Sequence, residues 1–223
     1  MGPMASQLFY KMVTEHTEAQ RDQDHIRLIL LSDTSIPDRT DAILNRDYEA
    51  VTQQLLEDAR FLERSGCAAV CIVCNTAHFF ADRIRNMLKI PVIHMIRETA
   101  ALAEEKCRGR RIGIMATDGT VKTELYQREL RYRSLDYFVP PEPVQKDIMY
   151  QIYGRIKKGM PYDAEIWKHI ENTYREAGCG CVILGCTELS VIKEAAQLSD
   201  WYIDPMNVLA RKVIAFSGKQ YQS

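Results

Sequence analysis

Cys74 and Cys186 are the residues of this 223-residue sequence best placed to do chemistry, and the chemistry they suit is proton transfer between two thiols facing one small molecule. Each closes a run of small or apolar residues and precedes polar residues of the kind that cap helices. One copy is Gly66-Cys67-Ala68-Ala69-Val70-Cys71-Ile72-Val73-Cys74-Asn75-Thr76. The other, Gly178-Cys179-Gly180-Cys181-Val182-Ile183-Leu184-Gly185-Cys186-Thr187-Glu188, aligns with it without a gap at an offset of 112 residues. A cysteine where a strand gives way to a helix faces that helix's free N–H groups, which favour the thiolate and depress a pKa that starts near ~8.5. Asn75, Thr76 and Thr187 add cap-type side chains, and the same N–H groups suit a substrate carboxylate. Cys67, Cys71, Cys107, Cys179 and Cys181 read instead as small buried hydrophobes.

Metal binding is the competing use of clustered cysteines, since Cys71-x-x-Cys74 has the spacing of a zinc half-site. Residues three apart on a strand point to opposite faces, and the second copy offers Cys179-x-Cys181 with no matching pair. No metal is expected, and a dithiol redox centre fails for the same reason.

The elements that must position these thiols follow from the repeat. A gapless repeat of this length predicts two similar doubly wound α/β halves with mainly parallel sheets, related by a pseudo-twofold, each presenting a thiol at the carboxyl edge of a strand. Residues 1–97 with 207–223 make the first expected domain and 98–206 the second. In the first, a helix spans Pro3 to about Glu18, a short strand Ile26 to Leu31, and a loop Ser32 to Thr40 that carries Arg39 to the ligand edge. A helix over 48–65 stopped by Gly66, the repeat strand, a helix over 77–88 and a short strand near 91–94 follow. The second half runs through a helix at 96–106, a strand at 111–115, a turn containing Thr117, a helix at 121–131 and a strand at 135–139. A proline-initiated helix ending at Lys157 and Lys158, a helix over 162–177, the second repeat strand, a helix over 188–196, a strand at 201–203 and a helix over 205–216 complete it.

Composition supports a core and narrows the partners. The chain is 46% hydrophobic, and 29 Lys and Arg against 30 Asp and Glu leave no field that would draw it to nucleic acid or an anionic membrane. No apolar run approaches the ~18 residues that span a bilayer. Seven cysteines, an odd number, predict reduced thiols in a cytoplasm.

Cys74-Asn75-Thr76-Ala77-His78 together with Gly185-Cys186-Thr187-Glu188 resembles the aspartate/glutamate racemase family, and the resemblance covers the whole chain. Gly2-Pro3-Met4-Ala5 is similar to the end of that family's amino-terminal glycine turn. Glutamate racemases usually carry a histidine after the second Cys-Thr pair; Glu188 stands here, which favours the aspartate racemase branch. Ile36-Pro37-Asp38-Arg39-Thr40 resembles that branch too. The resemblance implies a cofactor-independent homodimeric enzyme acting on a small acidic amino acid, with Arg39 and a lysine, Lys157 or alternatively Lys158, on the side-chain carboxylate. It implies that Cys186 works on the L-enantiomer and Cys74 on the D-enantiomer.

With no imine cofactor, the carbanion must be stabilised by oriented donors, desolvation and cations, and Asn75, Thr76, Thr117 and Thr187 are the candidate donors. Met1, His78 and Glu188 stand as supporting residues. For His78 the alternative is a cap or packing residue at a helix start, and for Glu188 a favourable helix-dipole position. The rivals on the same scaffold are hydantoin racemization, maleate isomerization and malonate decarboxylation, the last disfavoured by two retained cysteines. A non-catalytic dicarboxylate-binding module is a rival of another class. Aligning Gly2 to Phe9 with Gly119 to Tyr126 leaves Arg110 to Met115 without a first-half counterpart. The expectation is a further apolar strand of about six residues upstream of Met1.

Overall fold

A computed structural model of the protein describes residues 1–222. Its elements run α1 (Pro3–Glu15), α2 (Arg39–Asn45), α3 (Glu49–Arg64), β1 (Val70–Cys71), α4 (Ala81–Arg85), β2 (Val92–Ile93), α5 (Met95–Lys106), β3 (Arg111–Ala116), α6 (Asp118–Lys122), α7 (Leu125–Tyr132), β4 (Tyr137–Phe138), α8 (Glu142–Met149), α9 (Ala164–Glu176), β5 (Cys179–Gly185), α10 (Thr187–Ala196), β6 (Tyr202–Ile203) and α11 (Pro205–Phe216). All strand pairs are parallel, in a four-stranded sheet of order β4-β3-β5-β6 and a two-stranded sheet β1-β2. This is the expected α/β architecture.

Parallel strands need cover on both faces, and the sequence supplies it. Ile112, Ile114, Val182, Ile183 and Leu184 are wholly buried, each worth about 1.5–3 kcal/mol of apolar transfer. The covering helices bury one stripe each: α3 through Val51, Leu55 and Ala59, α9 through Trp167, Ile170 and Tyr174. Both are followed by a glycine with positive φ, Gly66 at 82° and Gly178 at 73°, a conformation a side chain would resist. The repeat holds in three dimensions. Val70 pairs with Val92 and Cys71 with Ile93, while their repeat counterparts Val182 and Ile183 pair with Tyr202 and Ile203.

Several expectations fail. Residues 26–31 belong to no strand and make no backbone hydrogen bond among the described residues. The helix over 77–88 is a tight 3-10 turn, Thr76–Phe79, followed by the one-turn α4. Adjacent Phe79 and Phe80 both pack on Tyr48, with ring centres 5.2 and 6.2 Å away. Arg39 opens α2 rather than lying in a loop, because Asp38 caps the N–H groups of Thr40 and Asp41. The helix from Glu142 widens into a π turn over Tyr150–Arg155 and then tightens into a 3-10 turn, Ile156–Lys158. Gly154 allows that widening: a Cβ there would sit 2.6 Å from the Tyr150 ring. Cys107 and Cys181 were expected as reduced thiols but form a disulfide between the end of α5 and β5; the other five cysteines are free.

Candidate active site

Both repeat cysteines line one small cavity between the halves, about 20 Å³, together with Arg39, Thr76, Thr117, Lys157, Thr187 and Glu188. The cavity has room for roughly a single water. Cys186 occupies the N-cap position of α10 without a side-chain capping bond, between the carboxyl end of β5 and the start of that helix. Cys74 follows the β1 segment and leads only into the short 3-10 turn, so it lacks the full helix expected to stabilise it.

The electrostatics around Cys186 reverse the sequence expectation of a depressed pKa. Burial pushes the thiol well up, the Glu188 carboxylate adds to this, and Lys157 opposes it. Cys186 Sγ therefore donates to Glu188 Oε2 at 2.9 Å, and the Thr187 hydroxyl donates to the same oxygen at 3.2 Å. The other carboxylate oxygen pairs with Lys157 Nζ at 3.0 Å. Burial works to raise the Glu188 carboxyl, but Lys157 and the Cys186 thiol outweigh it and hold it below the usual range. Lys157 is held above its usual range although burial opposes this, because Glu188 and Cys186 favour its charge. Its ammonium also lies 5.1 Å from the centre of the Tyr153 ring. Of the two candidate lysines, Lys157 lines the cavity and Lys158 does not.

Arg39 sits on the Cys74 side, only 8% exposed. Its Nη1 donates to the Ile36 and Pro37 carbonyls at 3.2 and 3.0 Å, while its buried Nε has no partner among the described residues. A buried guanidinium N–H left free is a ready donor for a carboxylate, because leaving it unpaired is costly. Asp38 accepts from the Tyr153 hydroxyl at 3.1 Å on each oxygen, which ties the Arg39 turn to the π turn of the other half.

Three hydroxyls join the halves beneath the cavity. Thr76 Oγ1 lies 2.9 Å from those of Thr117 and Thr120, which are 3.1 Å apart, and Thr117 also accepts the Thr120 N–H. Gly119 lets the halves close this tightly, since a Cβ on it would meet the Thr40 Cα and the Thr76 methyl at 3.0 Å each.

The remaining expected residues have other work. Asn75 is 1% exposed and does not line the cavity; its Oδ1 accepts from the Tyr126 hydroxyl at 2.5 Å, an oxygen kept protonated by burial. His78 Nε2 accepts the Met95 N–H at 3.1 Å, so its Nδ1 carries the proton and donates to the Cys74 carbonyl at 2.8 Å. Burial first, and His94 second, lower its pKa to about 3, so it positions the Cys74 backbone as a neutral ring and is no proton donor near neutrality. Met1 lies outside this cavity; its ammonium donates to the Asp33 carbonyl. Sequence reasoning missed Asp38, Tyr153 and Thr120. Asp38 carries a signal, an aspartate just ahead of a helical stretch, and Tyr153 stands four residues before Lys157, but Thr120 contacts Thr76 only through the fold.

The chain is similar to several known proteins. The family described as Asp/Glu/Hydantoin racemase matches residues 1–213. The broad specificity amino-acid racemase of Bacillus subtilis is 23% identical over 227 residues, 96% of this chain and 94% of that protein. The glutamate racemase of Aquifex pyrophilus is 28% identical over 153 residues, 67% of this chain and 57% of that protein. Among solved structures, an aspartate racemase from Picrophilus torridus superposes with a TM-score of 0.82 at 27% identity, over 99% of this chain and 92% of that one. An aspartate racemase homologue from Pyrococcus horikoshii shares the fold, with a TM-score of 0.75 at 23% identity over 97% and 95% of the two chains.

Proposed function

The chain belongs to the Asp/Glu/Hydantoin racemase family, and on that premise we propose that it interconverts L- and D-aspartate without a cofactor, by proton transfer between Cys74 and Cys186. The observation that carries the reading is the placement of both thiols, from equivalent strand ends, on one cavity that also holds Arg39 and Lys157. In each direction one thiolate takes the Cα proton, the electron pair moves from the breaking C–H bond into the adjoining carboxylate system, and the opposite S–H returns a proton to the other face. One thiol gains the proton that the other loses, so the next turnover can run in reverse. Cys186 serves the L-enantiomer and Cys74 the D-enantiomer.

The unpartnered Arg39 Nε supports a role in holding the side-chain carboxylate, while the hydroxyls of Thr76, Thr117 and Thr187 are the donors for the α-carboxylate, where negative charge develops. Lys157 and Glu188 act as a pair: the ammonium stabilises the carboxylate and the carboxylate orients the Cys186 thiol. Likeness to the family supports a homodimer.

A broader substrate range is the second reading, favoured by one observation: Glu188 already engages Lys157, leaving Arg39 as the cation with a free buried donor. Chiral chromatography of the purified protein with L-aspartate, L-glutamate and a neutral L-amino acid decides between them. D-aspartate as the dominant product supports the first reading and comparable yields of several D-amino acids the second; no D-amino acid at all would remove both.

A further inference from the structure

One buried side chain reaches the neighbours of both thiols. Tyr126, wholly buried on α7, donates its hydroxyl to Asn75 Oδ1 at 2.5 Å, and Asn75 directly follows Cys74. The edge of its ring lies against Gly185, which directly precedes Cys186: a Cβ on Gly185 would meet Tyr126 Cε2 at 3.1 Å and the Ala116 Cβ at 2.8 Å. The path Cys74, Asn75, Tyr126, Gly185, Cys186 thus crosses between the halves through one rigid aromatic side chain.

Both ends of that path are fixed. On the Cys186 side β5 closes in a tight turn about Gly185, the Cys186 N–H donating to the Leu184 carbonyl at 2.8 Å, while Gly185 itself pairs with Ala116 of β3. On the Cys74 side the Asn75 carbonyl accepts the His78 N–H at 3.0 Å, and the Cys74 carbonyl accepts from His78 Nδ1 at 2.8 Å. The Asn75 side chain depends on Tyr126, because its buried Nδ2 has no partner among the described residues. A residue needed only to fill space among Ile112, Ile114 and Ala116 would serve as phenylalanine, since a buried hydroxyl must give up its water. Burial keeps this hydroxyl protonated, so it remains a donor near neutrality.

Proton transfer between two thiols makes their separation matter. The carbanion formed by one thiolate becomes product only if the other S–H stands at the opposite face, and a misplacement of about 1 Å can cost about 100-fold in rate. We propose that Tyr126 is a positioning residue: its ring against Gly185 and its hydroxyl on Asn75 set the separation of Cys186 and Cys74 across the substrate, a role that rests on the two-thiol reading of the site. Tyr126 does not line the cavity, so it acts through its two neighbours.

The test compares Tyr126→Phe, which keeps the ring and removes the bond, with Ile112→Ala, which opens the same core at the far end of β3. Both should melt lower than the intact protein. In Tyr126→Phe alone, kcat should fall about 10–100-fold in both directions while the KM for aspartate stays within about twofold. In deuterated water its carbanion should wait for Cys74. The Cys186 S–H formed when the thiolate took the Cα proton then exchanges with solvent and returns deuterium to the face it left, so deuterated L-aspartate per D-aspartate formed should rise by about fivefold or more. Combining Asn75→Ala with Tyr126→Phe should raise that ratio no further, because both remove the same bond. An unchanged kcat, a ratio no higher than in Ile112→Ala, or fully additive effects of the two substitutions would each overturn the proposal. Crystal structures of the intact and Tyr126→Phe proteins separate this from failure of the reaction itself. If the intact protein makes no D-aspartate the two-thiol reading falls, and the spacing role is then decided by the Cys74–Cys186 separation, which should shift by about 0.5 Å or more. An unmoved separation would overturn it.

Discussion

Cys186 and Glu188 share one buried hydrogen bond, and at the scale of single residues that bond sets how the thiol titrates. Burial first and Glu188 second push the thiol well above its usual value, so its anion grows only as the pH rises on the alkaline side. The L-to-D rate should rise with pH over that interval. In Glu188→Gln the removed charge favours the thiolate, and the rise should move to lower pH; kcat/KM profiles of the two proteins check this, and an unmoved profile would contradict it. His78 gives a stability prediction. Its folded-state pKa is about 3 against an ordinary 6.5, so the folded protein refuses a proton that the unfolded chain accepts. That stability is full above 6.5 and is lost as the pH falls towards 3, with a slope of up to about 1.4 kcal/mol per pH unit. Melting temperature should fall between pH 7 and pH 4, and His78→Gln should melt lower at pH 7 but with a flatter slope. The positions of the two thiols were legible because strand ends mark them, and that of Arg39 because a motif carries it; Lys157 could not be told from Lys158, since no motif fixes the register, and only the cavity lining separates them. The role of His78 was not, because it depends on the Met95 N–H, brought near only by the fold.

Elements were legible where one periodicity ran long enough to dominate. Helices α3 and α9 and strand β5 appear close to where their apolar spacing puts them. The breaks at Thr76–Phe79 and Tyr150–Arg155 were not legible; there Phe79 and Phe80 meet Tyr48 and Tyr153 meets Asp38, residues distant in sequence. The short α2 matters most among these, since it orients Arg39. Asp38 holds it by accepting two N–H groups and the Tyr153 hydroxyl at once. Asp38→Ala should therefore cost about 1 kcal/mol of capping, seen as a melting temperature lower by about 2–4 °C. It should also raise the KM for aspartate more than it lowers kcat, because Arg39 loses its fixed direction. A variant with reduced melting temperature and unchanged KM would leave Asp38 a cap and nothing more.

The whole molecule is two halves closed on a site too small for an amino acid. The hydroxyl cluster of Thr76, Thr117 and Thr120, the Tyr126 bond to Asn75 and the Tyr153 bond to Asp38 all cross between the halves. A cavity of about 20 Å³ cannot admit aspartate until some of these contacts part, and the π turn carrying Tyr153 with Lys157 just beyond it forms one side of the site. The repeat made this arrangement legible in outline, because equivalent strands must present equivalent residues to a shared edge. It did not disclose how tightly the halves meet, which turns on Gly119 against Thr40 and Thr76. Two thiols on opposite faces of one substrate is the central claim, and isotope transfer tests it most directly. L-Aspartate is incubated in deuterated water with the intact protein and with the Cys74→Ala and Cys186→Ala variants, and both enantiomers are separated and weighed early in the reaction. Two bases predict D-aspartate carrying one deuterium at Cα beside residual L-aspartate still largely protiated, and no D-aspartate from either variant. Deuterium entering the recovered L-aspartate as fast as product forms, or a variant that racemises at close to the intact rate, would contradict the account.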